Sequence, residues 1–369
     1  MAVWRWAVGP WRAGNTPQAE LTTATGNRRL ICRLLDPSEA QISLNGYGSD
    51  AQLIDELITD LWVYRDGVSL FRGRVYGPTS DHLSAATYTY DVKAFDYRQL
   101  LWRRLLYADR TWANTEQTVI AWNLIQDTQN QLGGDMGIRS SLINPLSVGW
   151  PSTGVNRPSV IFTAGSTVWD SLRKLNQMAN GFDLDIDQNR VANLYYPQRG
   201  ADNGVVLDYG GVLTAVERTF EPATFANAIR QSGASGVTTV TTTVPNIAIT
   251  PEGRWDAQYG DIDLTTADMV AQTSATNIAL ASTALPTYQL HMARGAWGGP
   301  SHFWLGDYVL VVIQTGRLNE VVKGRVFQMD ISVGSSDTED VIVTVGNLHH
   351  DIESVLKGLA KRIIPLTRR

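Results

Sequence analysis

At 369 residues the chain is long enough for several domains with sizeable cores, so its stability requires neither disulfides nor a bound metal. Thirty-one Lys plus Arg against 36 Asp plus Glu leave a formal charge of −5, which argues against a dedicated DNA-wrapping surface and towards protein partners. No stretch reaches the roughly 18 unbroken apolar residues of a spanning helix, and the opening MAVWRWAVGPWRAGN lacks the apolar core and cleavage site of a secretory signal, so the expectation is a soluble protein made in the cytosol.

The first part of the chain reads as strands. In residues 61–77, LWVYRDGVSLFRGRVYG, Asp66-Gly67 separates two runs rich in β-branched and aromatic side chains, the strongest short hairpin signal because both turn positions need positive φ. Residues 86–97, ATYTYDVKAFDY, alternate as a third strand, so an antiparallel β domain opens the chain. From Asn114 the period changes. Asn114 is the expected N-cap of a helix, with Gln117 three residues on, Ile120, Leu124 and Leu132 along one side and Gly133-Gly134 as the stop. Residues 133–165 are rich in Gly, Pro and Ser and predict a loop on the surface. A second helix follows, with Thr167 and Asp170 as a capping box, Val168, Leu172, Leu175 and Ala179 on one face, and Asn180-Gly181 at its end.

The next stretch, GFDLDIDQNRVANLYYP, sets aspartates at 183, 185 and 187 and raises the question of a calcium loop. Counting from Asp183, such a loop wants glycine at its sixth place and glutamate at its twelfth, and these hold Gln188 and Leu194. The alternation of Phe182, Leu184 and Ile186 with the aspartates predicts instead a strand, a turn at Gln188-Asn189 and a second strand, with a solvated acidic edge.

Beyond Pro197 the pattern returns to β, with the stretch around Pro222 as a connection. Residues 236–251 form a Thr/Val tract, read as an exposed strand pair or loop, and residues 265–285 suit a helix of modest propensity. Residues 306–347 predict a β meander. Its KGRVF at 323–327 stands where the first domain had RGRVY at 72–76, inside the same strand frame, which suggests an internal duplication of a β-barrel module. The end reads as a short helix with Ile352, Val355, Leu356 and Leu359 on one side, then a basic tail expected to dock on a partner or fray.

Chemistry is hard to find. There is no HExxH, no GxGxxG opening a helix and no GxxxxGK[ST], so zinc-protease, dinucleotide and P-loop mechanisms lack their positioning elements, and no cofactor, metal or catalytic residue is expected. His82, His291, His302 and the pair His349-His350 read as surface or interface residues. Asp183 and Asp185 stay open as the carboxylates of a cell-wall or surface-polysaccharide hydrolase, and Trp297 and Trp304 as the stacking side chains of a carbohydrate-binding adhesin. Twelve tryptophans beside scarce lysine fit either an assembly interface or an aromatic β core. The lone Cys32 cannot close an internal disulfide and reads as a buried small hydrophobe.

The order of parts is informative where single motifs are not. VYRDGVSLFRGRV and VKAFDYRQLLWRR, then STVWDSLRKLNQMANG with its FDLDIDQNRVANLYYP hairpin, then FANAIRQSG and LGDYVLVVI, together resemble the tail-tip or baseplate-hub proteins of long-tailed bacteriophages, and more narrowly a minor tail protein of a non-contractile phage of actinobacteria. The resemblance implies a mainly β fold with an α+β insertion: two tube-like β-barrel domains plus a helix–hairpin domain. The expected division is a first barrel at 1–110, the α+β domain at 111–197, a second barrel at 198–235 and 286–347, an inserted β/helix segment at 236–285, and a C-terminal helix with basic tail at 348–369. It further implies a homotrimer in the virion tail tip whose six modules match a six-fold tail. The implied partners are a distal tail ring or tube protein, a tape-measure protein and tail fibres or adhesins, with DNA only in transit and no membrane insertion. Arg74 and Arg325 occupy matched places in the suspected repeat and are the candidates for equivalent contacts between barrels, against the plainer reading of exposed strand arginines.

Overall fold

The structure, a computed structural model, describes residues 2–346 except 12, 13, 15, 25, 27, 142–149, 221–224, 235, 238, 262, 263, 283–285 and 335. The expected C-terminal helix and tail, His349-His350 and the connection at Pro222 lie outside the described residues.

The first module follows from period-two alternation of buried and exposed side chains. Its strands are β1 (Trp4–Pro10), β2 (Ala19–Glu20), β3 (Arg28–Arg33), β4 (Glu39–Asn45), β5 (Thr59–Arg65), β6 (Val68–Val75), β7 (Ser80–Leu83) and β8 (Tyr88–Asp96). They lie in the order β3-β4-β8-β6-β5-β1-β2, all antiparallel, with β7 continuing along β8 beyond the end of β6. The predicted hairpin is present, with φ of 50° at Asp66 and 78° at Gly67 between β5 and β6.

Next come α1 (Arg98–Trp102), β9 (Arg110–Glu116), α2 (Gln117–Gln129), β10 (Arg139–Ser140), β11 (Asn156–Phe162), α3 (Val168–Gln177), β12 (Asp183–Ile186) and β13 (Val191–Tyr195). The Thr167 capping box forms, its Oγ1 accepting from the Asp170 N–H at 3.0 Å. The start of α2 differs from expectation. Asn114 is not its cap, because β9 runs on through Glu116 in an antiparallel ladder with β11; the Glu116 carboxylate caps the helix instead, accepting from the N–H groups of Thr118 at 2.8 Å and Val119 at 3.3 Å. Leu132 falls beyond the helix and is fully exposed. Nor is the Gly/Pro-rich segment a loop throughout. It contributes β11, and Trp150 is buried with its Nε1 donating to the Ala192 carbonyl at 2.7 Å.

The second module comprises β14 (Asp202–Asp208), β15 (Leu213–Thr219), and, after an insertion, β19 (Thr287–Met292), β20 (Tyr308–Thr315), β21 (Leu318–Val333) and β22 (Glu339–Gly346). The insertion holds β16 (Ala228–Ser232), β17 (Val240–Thr243), β18 (Asp256–Gly260) and α4 (Ala267–Ala281), with its own sheet in the order β17-β16-β18. β16 therefore pairs within the insertion and not with the second barrel, a correction to the expected grouping of residues 198–235.

The two modules share one wiring. In the first, β1-β5-β6-β8-β4-β3 are neighbours; in the second, β14-β20-β21-β22-β19-β15 are neighbours, and the strands of each series take their places in the same chain order. Gly73 and Gly324 coincide in this frame: each lies opposite the third or second residue of the preceding hairpin strand, Leu61 in β5 and Val309 in β20. The frames differ in that β1 meets β5 antiparallel whereas β14 meets β20 parallel, and in that β2, paired with β1, has no counterpart beside β14 among the described residues. Among the described residues no ladder closes either module into a separate barrel. Instead β3 pairs antiparallel with residues 328–333 of β21, so both modules belong to one 14-stranded sheet and share one hydrophobic core, from Trp4 to Val345.

That junction is stitched by charge as well as backbone. Arg65 grips Glu339 with both prongs at 2.9 and 2.8 Å, Arg28 reaches Asp337 at 2.6 Å, and Arg29 Nε reaches Asp330 at 2.8 Å. Bidentate guanidinium–carboxylate pairs of this kind set orientation as well as adding attraction.

Candidate functional site

The β12–β13 hairpin is where three units of the chain meet, and its aspartates are neither a calcium loop nor a solvated edge. Asp183 is 6% exposed. Its Oδ2 accepts from the Arg199 backbone N–H at 2.7 Å and from the Arg325 guanidinium. Arg325 is 2% exposed and also donates to the carbonyls of Gly306 at 3.0 Å and Arg199 at 2.7 Å. Glycine makes that close crossing of segments possible: a Cβ on Gly200, whose φ is +94°, would stand 2.1 Å from the Gly306 carbonyl carbon. The base of the hairpin is thereby locked to the second module.

Asp185 pairs with Arg199 at 2.9 Å and lies 4.0 Å from Arg98. Arg98 is buried, and although burial works against its charge, Asp96 and Asp185 outweigh that and hold its pKa above the usual value. Its Nε donates to Asp96 at 3.0 Å, and its Nη atoms to the carbonyls of Leu34 at 3.0 Å and Arg33 at 2.9 Å. The third aspartate shapes the turn, Asp187 Oδ1 accepting from the N–H groups of Asn189 at 2.8 Å and Val191 at 2.9 Å.

The hairpin tip reaches the first module. The Gln188 carbonyl accepts from Arg72 at 3.2 Å, and Arg190, at a φ of 61°, donates to the Trp11 carbonyl. Beneath them lies Asp60, wholly buried, which accepts from Arg72 Nε at 3.0 Å and from the Tyr97 hydroxyl. Arg190 and Arg74 stand 3.8 and 3.9 Å from the same carboxylate. Burial raises the Tyr97 pKa, with the Asp60 charge adding to the effect, so the phenol stays a donor. Arg72 is stacked over Trp62 at 4.5 Å and Arg74 over Trp11 at 3.9 Å.

These contacts revise three expectations. Arg74 and Arg325 are not exposed strand arginines: Arg74 is turned over Trp11 towards Asp60, and Arg325 is turned onto Asp183 of the hairpin. Asp183 and Asp185 accept from guanidinium groups in a joint, and Asp183 lies beneath the surface, so the two present no open pair of carboxylates to a sugar. Trp297 is buried and stacked on Trp304 with ring centroids 5.7 Å apart, under the Arg65 guanidinium, which makes it core instead of a glycan platform. Among the described residues no cluster of three or more His, Cys, Asp or Glu is placed to hold a metal ion.

A cavity of about 230 Å³ lies under the hairpin, lined by Arg72, Arg98 and Arg199 against Asp96, Asp185 and Asp187. Cys32 also lines it; burial pushes the thiol up to about 12, with Arg98 opposing, so it behaves as the inert small hydrophobe its sequence suggests. Sequence reading missed Asp60, Arg98, Arg190 and Arg199. The available signal was Asp60 itself, an acidic side chain inside the apolar run LWVY's strand, which demands a buried counter-charge.

No protein-family model matches the sequence, and no curated protein matches it significantly. Solved structures do resemble it. A tail protein of Neisseria meningitidis superposes with a TM-score of 0.62 at 10% identity, covering 94% of this chain and 96% of that one. A prophage tail protein of Listeria monocytogenes gives 0.59 at 14% identity, over 97% and 98% of the two chains. An E. coli component of the type VI secretion system, itself described as similar to the T4 bacteriophage tail proteins gp27 and gp5, gives 0.50 at 13% identity over 92% of this chain and 76% of that one. At such identities the likeness speaks for architecture alone: the chain has a mainly β fold like that of these phage and prophage tail proteins.

Proposed function

We propose that the protein is a structural hub at the tip of a phage tail, three copies of which close a ring. Each copy brings two equivalent β modules, so a three-fold ring offers six similar surfaces to a six-fold tail tube. In this reading the hub caps the tube of a non-contractile tail and opens to release the tape-measure protein and DNA, while the helix–hairpin domain, outside the ring, carries the fibres or adhesins that recognise an actinobacterial host. It works by assembly, not catalysis. In this reading residues 1–110 supply the first β module, residues 111–197 the α+β domain, and residues 286–347 resume the second module after the insertion.

The observation that carries the reading is the duplicated strand frame, with β3 already joined to β21 as two neighbouring modules of a ring would be. Supporting it, the carboxylates weighed as catalytic are tied to arginines. Native mass measurement of the full chain at high concentration, with the stoichiometry in isolated virions, is expected to give three copies; a single copy in the particle would overturn it.

A further inference from the structure

The repeat also bears on the chain's open edges. Inside the chain β3 pairs with the far half of β21; the strand equivalent to β3 is β15, and the strand equivalent to the far half of β21 is β7, which runs along β8 as β21 runs along β22. Among the described residues β7 is paired only with β8, and residues 215–219 of β15 only with β19. All four residues of β7 are exposed, including Leu83 at 69%, an unusual placement for a leucine on an open strand edge.

The register carries over residue by residue. Setting Gly73 on Gly324 puts Phe95 on Gly346, Ala40 on Tyr288 and Leu30 on Arg218; along the other branch it puts Tyr90 on Val341 and Asp81 on Ile331. Leu30 pairs with Ile331 within the chain, so Asp81 falls opposite Arg218 of a second copy. Its neighbours then match Ser80 to Thr219, His82 to Glu217 and Leu83 to Val216. Each pair is complementary: carboxylate with guanidinium, hydroxyl with hydroxyl, imidazole with carboxylate, apolar with apolar. A slip of one residue in one direction sets Glu217 against Asp81, and in the other sets Arg218 against His82 and Glu217 against Leu83. Only the transferred register satisfies all four.

We propose that β7 of one copy pairs antiparallel with β15 of the next in this register, a head-to-tail contact that repeats between chains the junction β3 and β21 make within one. The inference rests on the ring reading and names its surface. Arg218 already donates to Glu320 at 3.1 Å and Asp81 already accepts from the Tyr88 hydroxyl at 2.6 Å, so both groups arrive oriented by their own strands.

Cross-linking of the full chain tests it. Directly opposed strand residues have Cα atoms about 4.5–5.5 Å apart, within disulfide reach. Mild oxidation of the double variant Ser80→Cys with Thr219→Cys is expected to give covalent multimers at least tenfold above either single variant and above the shifted pair His82→Cys with Thr219→Cys. Leu83→Lys, on an exposed side chain, is expected to weaken self-association at least tenfold without moving the melting temperature. Trimers by native mass with no cross-link above the shifted control would overturn this edge while leaving the ring standing; a persistent monomer at millimolar concentration would overturn both.

Discussion

Arg74 and Arg325 occupy the same place in the repeated frame, each one residue after the glycine that coincides, yet they live in opposite electrostatic circumstances. Arg325 has a carboxylate nearly to itself, with backbone carbonyls for two further bonds. Arg74 shares Asp60 with Arg72 and Arg190, lies flat on Trp11 and leaves its Nε and Nη2 without hydrogen-bond partners. Burial lowers its pKa, the Asp60 charge only partly resisting. The lesson is that duplication preserves backbone pairing, while the docked hairpin decides what each matched side chain does.

Breaking the crowded side should cost most. Asp60→Asn removes the carboxylate that Arg72, Arg74 and Arg190 face, and a loss of about 4–5 kcal/mol in unfolding free energy is expected from urea titration, since an uncompensated buried charge is among the costliest of defects. A loss under about 1 kcal/mol would mean that the three guanidinium groups do not depend on it. On the balanced side, Arg325→Met should cost about 3 kcal/mol by leaving Asp183 alone, and adding Asp183→Asn should recover most of it. Additive losses would show the pair to be energetically uncoupled.

The matched glycines sharpen the comparison. A Cβ at Gly73 would meet the Phe95 carbonyl oxygen at 2.2 Å, whereas one at Gly324 would meet the Val345 Cγ1 at 2.3 Å. Backbone in a central ladder yields less than a side chain, so Gly73→Ala should cost about 3 kcal/mol and Gly324→Ala about 1 kcal/mol in the same assay. Equal costs would argue against the difference in neighbours.

The smallest effect concerns acid. Burial pushes the Glu39 carboxyl up, but Lys93 at 2.8 Å and Arg33 at 3.4 Å outweigh it and hold its pKa below the usual 4.5. A depressed carboxylate stabilises the fold above its unfolded pKa, and that stability drains away as pH falls below about 4.5 through the folded value. Glu39→Gln should therefore flatten the acid limb of a stability–pH curve by under about 1 kcal/mol, with no change in slope near neutrality.

Local signals were legible where local chemistry decides. Asp66-Gly67, the Thr167 capping box and the alternation across residues 182–195 each predicted the element observed, because positive φ, cap geometry and side-chain period are set within a few residues. The glycine-centred match of 73 with 324 pointed to a frame that the strand order bears out. What failed were readings that depended on a distant partner. β11 was hidden in a Pro-bearing segment because its ladder with β9 comes from some forty residues upstream. The start of α2 moved for the same reason.

The sequence by itself determined a mainly β chain with a helical insertion and a doubled strand pattern, since period, turn residues and caps are properties of neighbouring positions. Tertiary structure alone decided that the aspartate at 183 is a buried counter-ion and that the two modules fuse into one sheet. Both outcomes depend on groups more than a hundred residues apart, Asp183 with Arg325 and β3 with β21, and a desolvated charge or a free strand edge finds its partner only when the chain has closed on itself.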